Sequence, residues 1–288
     1  MSYNIFSEKF EINSKGISSV FDAIVRVCES LQIPFFVVGA FARDIVMQHI
    51  HNFSTIRKTK DIDIAVMVEN WETYEKVKIQ LINNYGFKVG TKKHELISNM
   101  GIYIDLIPFG NIEENNKVSW PPHFNFMMNM IGYQEVYRSA IPVLLDKKYN
   151  LLIASLEGLV LLKLIAWNDR KYLQGEKHIR DIILIIDHYF LIYFFDLVEK
   201  YPALFDTSKS EMDDTLIAAE ALGRNISVLI KDKSELSETV LSILETNLKS
   251  KDSSLLIQSL KNASDFDYPY CIQILEAFCN GIKYNPTT

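Results

Sequence analysis

The chain has 288 residues, of which 48% are hydrophobic and 23% are charged, and its formal net charge is −6. This length and apolar content are sufficient for two domains with hydrophobic cores of their own. The net negative charge argues against a broadly basic surface for nucleic acid, although local basic patches remain possible within it.

Several features predict a cytoplasmic location. The chain does not open with the charged and then apolar pattern of a signal peptide, and its three cysteines show no disulfide or metal-ligand spacing. The longest apolar run, residues 182–195, is interrupted by Asp187 and His188. We therefore expect a buried helix there and no membrane partner.

Residues 35–44 predict a strand, a glycine turn and a helix. Phe35–Val38 is apolar throughout, and the chain enters the predicted helix directly at Gly39. Backbone N–H groups at a helix start carry partial positive charge, and glycine lets an anion approach the backbone closely. This segment is a candidate phosphate-binding turn, although strand–glycine–helix turns are common in α/β proteins.

A second strand is predicted after a basic loop at residues 57–60. Because side chains alternate along a strand, Asp61 and Asp63 project from one face, with Cα atoms about 6.5 Å apart. Ile62 and Ile64 then point into a core. Two such carboxylates can share a divalent metal, and the alternative is a solvated strand face. The basic loop, like Lys92–Lys93 further on, is either a guide for a triphosphate or RNA end or simply solvated.

A third carboxylate follows on another predicted strand, after a helix predicted over Trp71–Tyr85 with Asn70 as its N-cap. Asp105 is the only charged residue in the segment 102–107, which we expect to end at Pro108 and Gly110. A carboxylate among apolar residues is costly to desolvate without a partner, and a metal is one such partner. The alternative is an edge-strand aspartate that faces water.

The second half of the chain contains another group of charged residues. Lys163 is a lone cation in an apolar helical pattern, and Arg170 follows seven residues later on nearly the same face. In the next predicted helix, Lys177 and Asp181 are i,i+4 neighbours, and Arg180 precedes the aspartate. These residues either bind an anionic ligand or represent a snorkelling lysine and a surface ion pair.

The predicted secondary structure changes in character near residue 150. Strands and helices alternate up to that point, and helical periodicity dominates from residue 151 onward. We therefore predict one domain at residues 1–150 and a helical domain at residues 151–288. Within the latter, Gly223 is expected to end a helix.

The segments Gly-Ala-Phe-Ala-Arg-Asp at 39–44 and Thr-Lys-Asp-Ile-Asp-Ile at 59–64 resemble the signature of the nucleotidyltransferase superfamily of the DNA polymerase β type, in particular the AbiEii-like bacterial toxin nucleotidyltransferases. The Arg-Asp pair is also similar to the turn of tRNA-nucleotidyltransferases and poly(A) polymerases. The resemblance implies an α+β fold, with a small mixed sheet of the nucleotidyltransferase type, flanking helices and a helical C-terminal domain. It also implies Mg²⁺-dependent transfer of a nucleoside monophosphate from an NTP to a hydroxyl.

The resemblance also implies roles for individual residues. Asp61 and Asp63 would hold the metal that bridges the NTP phosphates, and Asp105 would complete a site for a second Mg²⁺ ion. Ala40 stands where the family usually has glycine or serine, so a hydroxyl contact to phosphate would be lost. Arg43 would contact phosphate directly or indirectly, or would only pair with Asp44. The residues that the resemblance assigns to nucleotide binding are Gly39, Ala40, Arg43, Lys163, Arg170 and Asp181.

The resemblance leaves the acceptor open. An RNA end, a protein hydroxyl and a small molecule all remain candidates, and an antitoxin-like protein would be a partner if the activity serves growth arrest. A catalytically inactive NTP-binding regulatory module on the same fold is the alternative, since the sequence has Ala40 in the turn.

Overall fold

The structure is a computed structural model that describes residues 3–9, 14–53, 61–173, 175–206 and 212–284. The chain divides into two compact units, Met1–Ser155 and Leu156–Thr288. The first contains a mixed sheet and helices, and the described part of the second is helical, so the predicted α+β class is confirmed. Within the described residues, no helix has the length and apolar character that a membrane span requires.

The described part of the first unit contains ten strands. Eight of them form one sheet in the order β1-β9-β10-β2-β3-β6-β5-β4, and β7 and β8 form a separate two-stranded sheet. The sheet is mixed, because β3 is parallel to β6 and antiparallel to β2. The strands are β1 Tyr3–Ile5, β2 Phe35–Val38, β3 Asp61–Met67, β4 Lys88–Val89, β5 Glu95–Ile97, β6 Tyr103–Phe109, β7 Lys117–Ser119, β8 Met127–Asn129, β9 Ile141–Leu145 and β10 Tyr149–Ile153.

Four α-helices accompany these strands in the described residues. The helix α3 begins after Asn70, whose side chain accepts a hydrogen bond from the backbone N–H of Thr73 at 2.9 Å, and it ends at Gly86, whose φ is 71°. The prediction for this helix and its cap is therefore confirmed. The helices are α1 Ser14–Leu31, α2 Gly39–Asp44, which continues as a π-helical turn over Ile45–Ile50, α3 Trp71–Tyr85 and α4 Tyr133–Arg138.

The centre of the sheet is apolar on the side that faces away from the aspartates. Ile62 and Ile64 of β3 and the corresponding residues Ile104 and Leu106 of β6 are no more than 1% exposed. The hydroxyl of Tyr74 in α3 donates to the carbonyl of Leu106 at 2.9 Å, which anchors that helix to β6. This burial fixes the direction in which the alternate side chains of both strands project.

The predicted end of β6 at Pro108 and Gly110 is confirmed at Gly110, whereas Pro108 lies within the strand. The strand continues to Phe109, and Pro108 pairs with Val66 of β3. The paired part of β5 ends opposite Asp105, so the missing N–H of Pro108 removes no hydrogen bond from the β5 side of the ladder. The prediction of helical structure from residue 151 is wrong for Leu151–Ile153, which pair with β9.

The second unit consists of helices in its described residues. The sequence predicted that Gly223 ends a helix, but this residue lies inside α7. A Cβ atom at this position would lie 2.4 Å from the carbonyl oxygen of Phe278 in α10, so glycine permits the close approach of the two helices. The helices are α5 Leu156–Arg170, α6 Glu176–Lys200, α7 Asp214–Ile230, α8 Ser234–Lys249, α9 Leu255–Ala263 and α10 Tyr268–Ile282.

Candidate functional site

Three aspartates lie on one face of the two adjacent strands β3 and β6. In the parallel register, Asp63 is opposite Asp105 and Asp61 is opposite Tyr103. Residues that are opposite each other in neighbouring strands project from the same face of a sheet, and so do residues two apart. Asp61 and Asp63 are partly exposed, whereas Asp105 is only 8% exposed. The structure therefore groups the three predicted carboxylates on one face.

Gly39 lies directly against Asp63. It follows Val38, the residue that pairs with Asp63 in the antiparallel ladder between β2 and β3, and its φ is +73°. A Cβ atom on Gly39 would lie 1.9 Å from Oδ2 and 2.6 Å from Cγ of Asp63. Both the positive φ and the missing side chain are required at this turn, because the carboxylate occupies the place of a Cβ.

Two basic side chains contact Asp105. The Nζ atom of Lys92 lies 2.9 Å from Oδ2 and 3.3 Å from Oδ1, and Nε2 of His94 lies 3.5 Å from Oδ2. Burial raises the pKa of the Asp105 carboxyl, but contacts with His94 and Lys92 outweigh burial and hold that pKa below its usual value. Asp105 is thus a buried carboxylate with cationic and imidazole partners of its own.

A short turn before β5 presents these partners. The carboxylate of Glu95 accepts hydrogen bonds from the backbone N–H of Thr91 at 2.8 Å and from its hydroxyl at 3.1 Å, and it lies 3.3 Å from Nζ of Lys92. A Cβ on Gly90 would lie 2.3 Å from Oε2 of Glu95, so the turn closes tightly around this carboxylate. The ring of His94 stacks on Phe126, with 5.3 Å between centroids.

The donor set on this face suits a hard divalent cation, because carboxylate oxygens are the ligands that Mg²⁺ prefers. Within the described residues, no three His, Cys, Asp or Glu side chains lie close enough together to hold a metal. Asp105 contacts Lys92 and His94 instead. Metal binding by Asp61, Asp63 and Asp105 therefore stays a prediction, and Asp105 could take part in it only by exchanging its contact with Lys92.

The residues of the glycine turn differ in accessibility. Gly39 and Ala40 are partly exposed in the first turn of α2. Arg43 is fully buried, and its Nε and Nη2 atoms lie 2.9 Å and 2.5 Å from Oδ1 of Asp44. This pairing was one of the alternatives for Arg43, and a phosphate contact by that side chain stays a prediction.

The remaining predicted residues lie in the second unit. Lys163 of α5 forms an ion pair with Asp181 of α6, and their side chains are 13% and 7% exposed. The pair links two helices, so Asp181 is not merely the i,i+4 partner of Lys177 that the sequence indicated. Arg170 is the last residue of α5 and is partly exposed. The nucleotide-binding role of these three residues stays a prediction.

His178 was not singled out from the sequence, although it stands next to Lys177 and three residues before Asp181. It is buried, and its Nε2 atom has no hydrogen-bond partner in the described structure. Burial and the nearby charges of Lys163, Lys177 and Arg170 lower the pKa of His178 to about 3. A neutral imidazole therefore accompanies the Lys163–Asp181 pair.

The sequence also did not indicate that Lys92 and His94 are partners of Asp105. The sequence showed two lysines before β5, but their different contacts are visible only in the structure. Lys93 Nζ lies 3.2 Å from the carbonyl oxygens of Trp120 and Pro121, whereas Lys92 reaches the carboxylate. The basic loop at residues 57–60, which includes Thr59 and Lys60 of the resemblance, lies outside the described residues.

No family model and no curated protein sequence matches the chain. Among solved structures, the chain is similar to an antigenic nucleotidyltransferase-like protein from Paracoccidioides brasiliensis, with 16% identity, a TM-score of 0.39 and coverage of 69% of this chain and 95% of that one. It is also similar to the antibiotic-resistance factor ANT(2'')-Ia, with 12% identity, a TM-score of 0.39 and coverage of 69% and 97%. A third is the Thermotoga maritima CCA-adding enzyme complexed with tRNA, with 14% identity, a TM-score of 0.29 and coverage of 93% and 80%.

Proposed function

We propose that the protein is a Mg²⁺-dependent nucleotidyltransferase that transfers a nucleoside monophosphate from an NTP to a hydroxyl acceptor. The observation that carries this proposal is the register of β3 and β6, which aligns Asp63 with Asp105 and puts Asp61 on the same face. The contact of Asp63 with Gly39 adds a second element, because it sets the carboxylates beside a turn whose backbone can approach a phosphate.

The aspartates would divide the metal binding between them. Asp61 and Asp63 would hold the ion that accompanies the NTP, and Asp105 would take part in holding a second ion. Bound magnesium would neutralise charge on the phosphates and lower the pKa of the acceptor hydroxyl. The acceptor hydroxyl would lose its proton to solvent as its oxygen forms a bond to the α-phosphorus, and the bond from that phosphorus to the leaving pyrophosphate would break.

The resemblance also assigns charged residues of the second unit to nucleotide binding, and this role is a separate part of the proposal. Lys163 would neutralise charge on the β- and γ-phosphates, and its ion pair with Asp181 holds the ammonium group in one orientation. Arg170, at the end of the same helix, would add a second cation. Catalysis of this kind consists mainly of positioning and electrostatic stabilisation.

The acceptor and the biological role form the finer part of the proposal. An RNA 3′ end, a protein hydroxyl and a small molecule are the three acceptor classes, and a toxin-like role with an antitoxin-like partner is one use of the same chemistry. Growth arrest on expression, relieved by the product of a neighbouring reading frame, would support the toxin-like role. Growth at the normal rate would argue against it.

Labelling tests the transfer activity. The protein is incubated with each α-labelled NTP, Mg²⁺ and either whole-cell RNA, protein lysate or a small-molecule extract, with EDTA as the control. We expect label in one fraction, from one or two NTPs, and only with the metal. Absence of label from all fractions with every NTP, although each NTP binds, would contradict the proposed transfer.

A catalytically inactive NTP-binding module remains the second candidate. The observation that favours it is that Asp105 already has Lys92 and His94 as partners, so one carboxylate of the site is engaged. Calorimetric titration with each NTP, with and without Mg²⁺, distinguishes the two functions together with the labelling experiment. Binding without transfer would favour the module, and binding with transfer would favour the enzyme.

A further inference from the structure

We propose that Lys92 is the cation that balances the charge of Asp105 in the metal-free protein. Lys92 positions the Asp105 carboxylate and competes with the divalent ion that this carboxylate would help to hold. This inference rests on the proposed metal-dependent function. It assigns to Lys92 a positioning role that would set how readily the second metal binds.

The contacts of Lys92 support this role. Its Nζ atom lies within 3.3 Å of both carboxylate oxygens of Asp105, so both oxygens that could bind a metal already contact the ammonium group. Asp105 is 8% exposed, and a carboxylate buried to this extent needs a compensating charge. Lys92 supplies that charge, together with the imidazole of His94.

The Lys92 side chain can also move away from the Asp105 carboxylate. Its side chain is 49% exposed, unlike those of His94 at 7% and Asp105 at 11%. Its turn is also held by Glu95, which accepts hydrogen bonds from Thr91 in addition to its 3.3 Å contact with Lys92. The ammonium group can therefore move into solvent while Thr91 still donates to Glu95 of β5 and His94 remains beside the Asp105 carboxylate.

A neighbouring lysine provides a matched control. Lys93 donates to the carbonyl oxygens of Trp120 and Pro121 and has the same formal charge. Lys92→Gln and Lys93→Gln therefore change the net charge equally, but only the first removes the cation from Asp105. Glutamine retains a hydrogen-bond donor for the buried carboxylate, which favours folding of the variant.

The test measures binding of Mn²⁺ alone, by calorimetry and by the electron paramagnetic resonance signal of the free ion. We expect Lys92→Gln to bind Mn²⁺ about three- to fivefold more tightly than Lys93→Gln, as for loss of a partly exposed ion pair. Lys92→Arg should match the wild type. Adding Asp105→Asn to Lys92→Gln should remove the gain, because the competition involves that carboxylate.

The thermal midpoint gives a second readout. Without metal, Lys92→Gln should have a lower thermal unfolding midpoint than Lys93→Gln. Mn²⁺ should raise the midpoint of Lys92→Gln by more than it raises that of Lys93→Gln. Equal Mn²⁺ affinity in the two variants, or a gain that survives Asp105→Asn, would overturn the role of Lys92 while leaving the metal site intact. If the wild type and all variants bind no Mn²⁺, the proposed metal-dependent function fails, and this inference fails with it.

Discussion

The carboxylate of Asp63 occupies the space that a side chain on Gly39 would need. A Cβ atom built on Gly39 would lie 1.9 Å from Oδ2 of Asp63, and the φ of +73° at Gly39 disfavours any other residue. The glycine of the turn and the aspartate of the strand therefore form a single structural unit. Substitution of Gly39 should consequently change metal affinity at the proposed site.

We expect Gly39→Ala to weaken Mn²⁺ binding by about 10–100-fold, because the carboxylate of Asp63 must move away from its position. Gly101→Ala is the matched control, since Gly101 has a φ of +78° but a Cβ atom added there would meet nothing within 4 Å. Gly101→Ala should cost about 1–2 kcal/mol of stability from backbone strain and leave metal binding unchanged. Equal Mn²⁺ affinity in both variants would show that the contact with Asp63 has no role in binding.

Asp105→Asn should separate NTP binding from chemistry. If Asp61 and Asp63 hold the ion that accompanies the NTP, affinity for that complex should change little, while transfer should fall by about 10³-fold or more. Calorimetry and single-turnover transfer on the same variant make the comparison. Unchanged transfer would leave Asp105 as the partner of Lys92 and His94 only, and a joint loss of binding and folding would make it structural.

Lys163→Ala should weaken NTP binding about tenfold or more and NMP binding much less, because a charge-assisted contact to the outer phosphates is worth about 1.5–3 kcal/mol. The same variant also removes the ion pair between α5 and α6 and should therefore destabilise the protein. Asp181→Asn also breaks the ion pair but retains the ammonium group, so its NTP affinity should fall less. Equal losses for NTP and NMP in Lys163→Ala would contradict a phosphate contact.

His178 should make the protein less stable in mild acid. Its pKa is lowered to about 3 by burial and by the charges of Lys163, Lys177 and Arg170, whereas an unfolded histidine titrates near 6.5. Between these values the unfolded chain binds a proton that the folded protein does not. The free energy of unfolding should therefore fall as the pH drops from 6.5 towards 3, by about 1.4 kcal/mol per pH unit from this residue.

Urea unfolding between pH 7 and 4.5 measures this contribution of His178. The slope should be smaller in His178→Gln than in the wild type, and His123→Gln, which alters an exposed histidine, should retain the wild-type slope. If His178→Gln also retains the wild-type slope, the side chain does not remain neutral in the folded protein.

Local patterns predicted the elements that carry the candidate site. The spacing around Asn70 predicted helix α3 with its cap, and the alternation in residues 61–66 predicted burial of Ile62 and Ile64, although it did not predict that Ala65 is buried as well. These features depend on interactions between residues close in sequence. They were sufficient to place Asp61, Asp63 and Asp105 on strands.

Contacts between distant segments were not predictable in this way. The strand β1 pairs with β9, which follows it by more than 100 residues, and no local pattern specifies that partner. Gly223 has the composition signal of a helix end, but its contact with α10 decides its role. The pairing of Lys92 with Asp105 likewise depends on how β5 and β6 align, whereas the sequence shows only two adjacent lysines.

The most direct test of the proposed function uses an NTP that is labelled at both the α- and the γ-phosphate. The acceptor is the fraction that the labelling experiment has identified. The reaction is compared in the wild type, Asp61→Asn and Asp63→Asn. The wild type should attach the α-label to the acceptor and release the γ-label as pyrophosphate, only with Mg²⁺. Each variant should remain folded and lose both signals, because its core contacts lie on the opposite face of β3. Transfer of the γ-label to the acceptor, or wild-type turnover in either variant, would contradict the proposed nucleotidyl transfer.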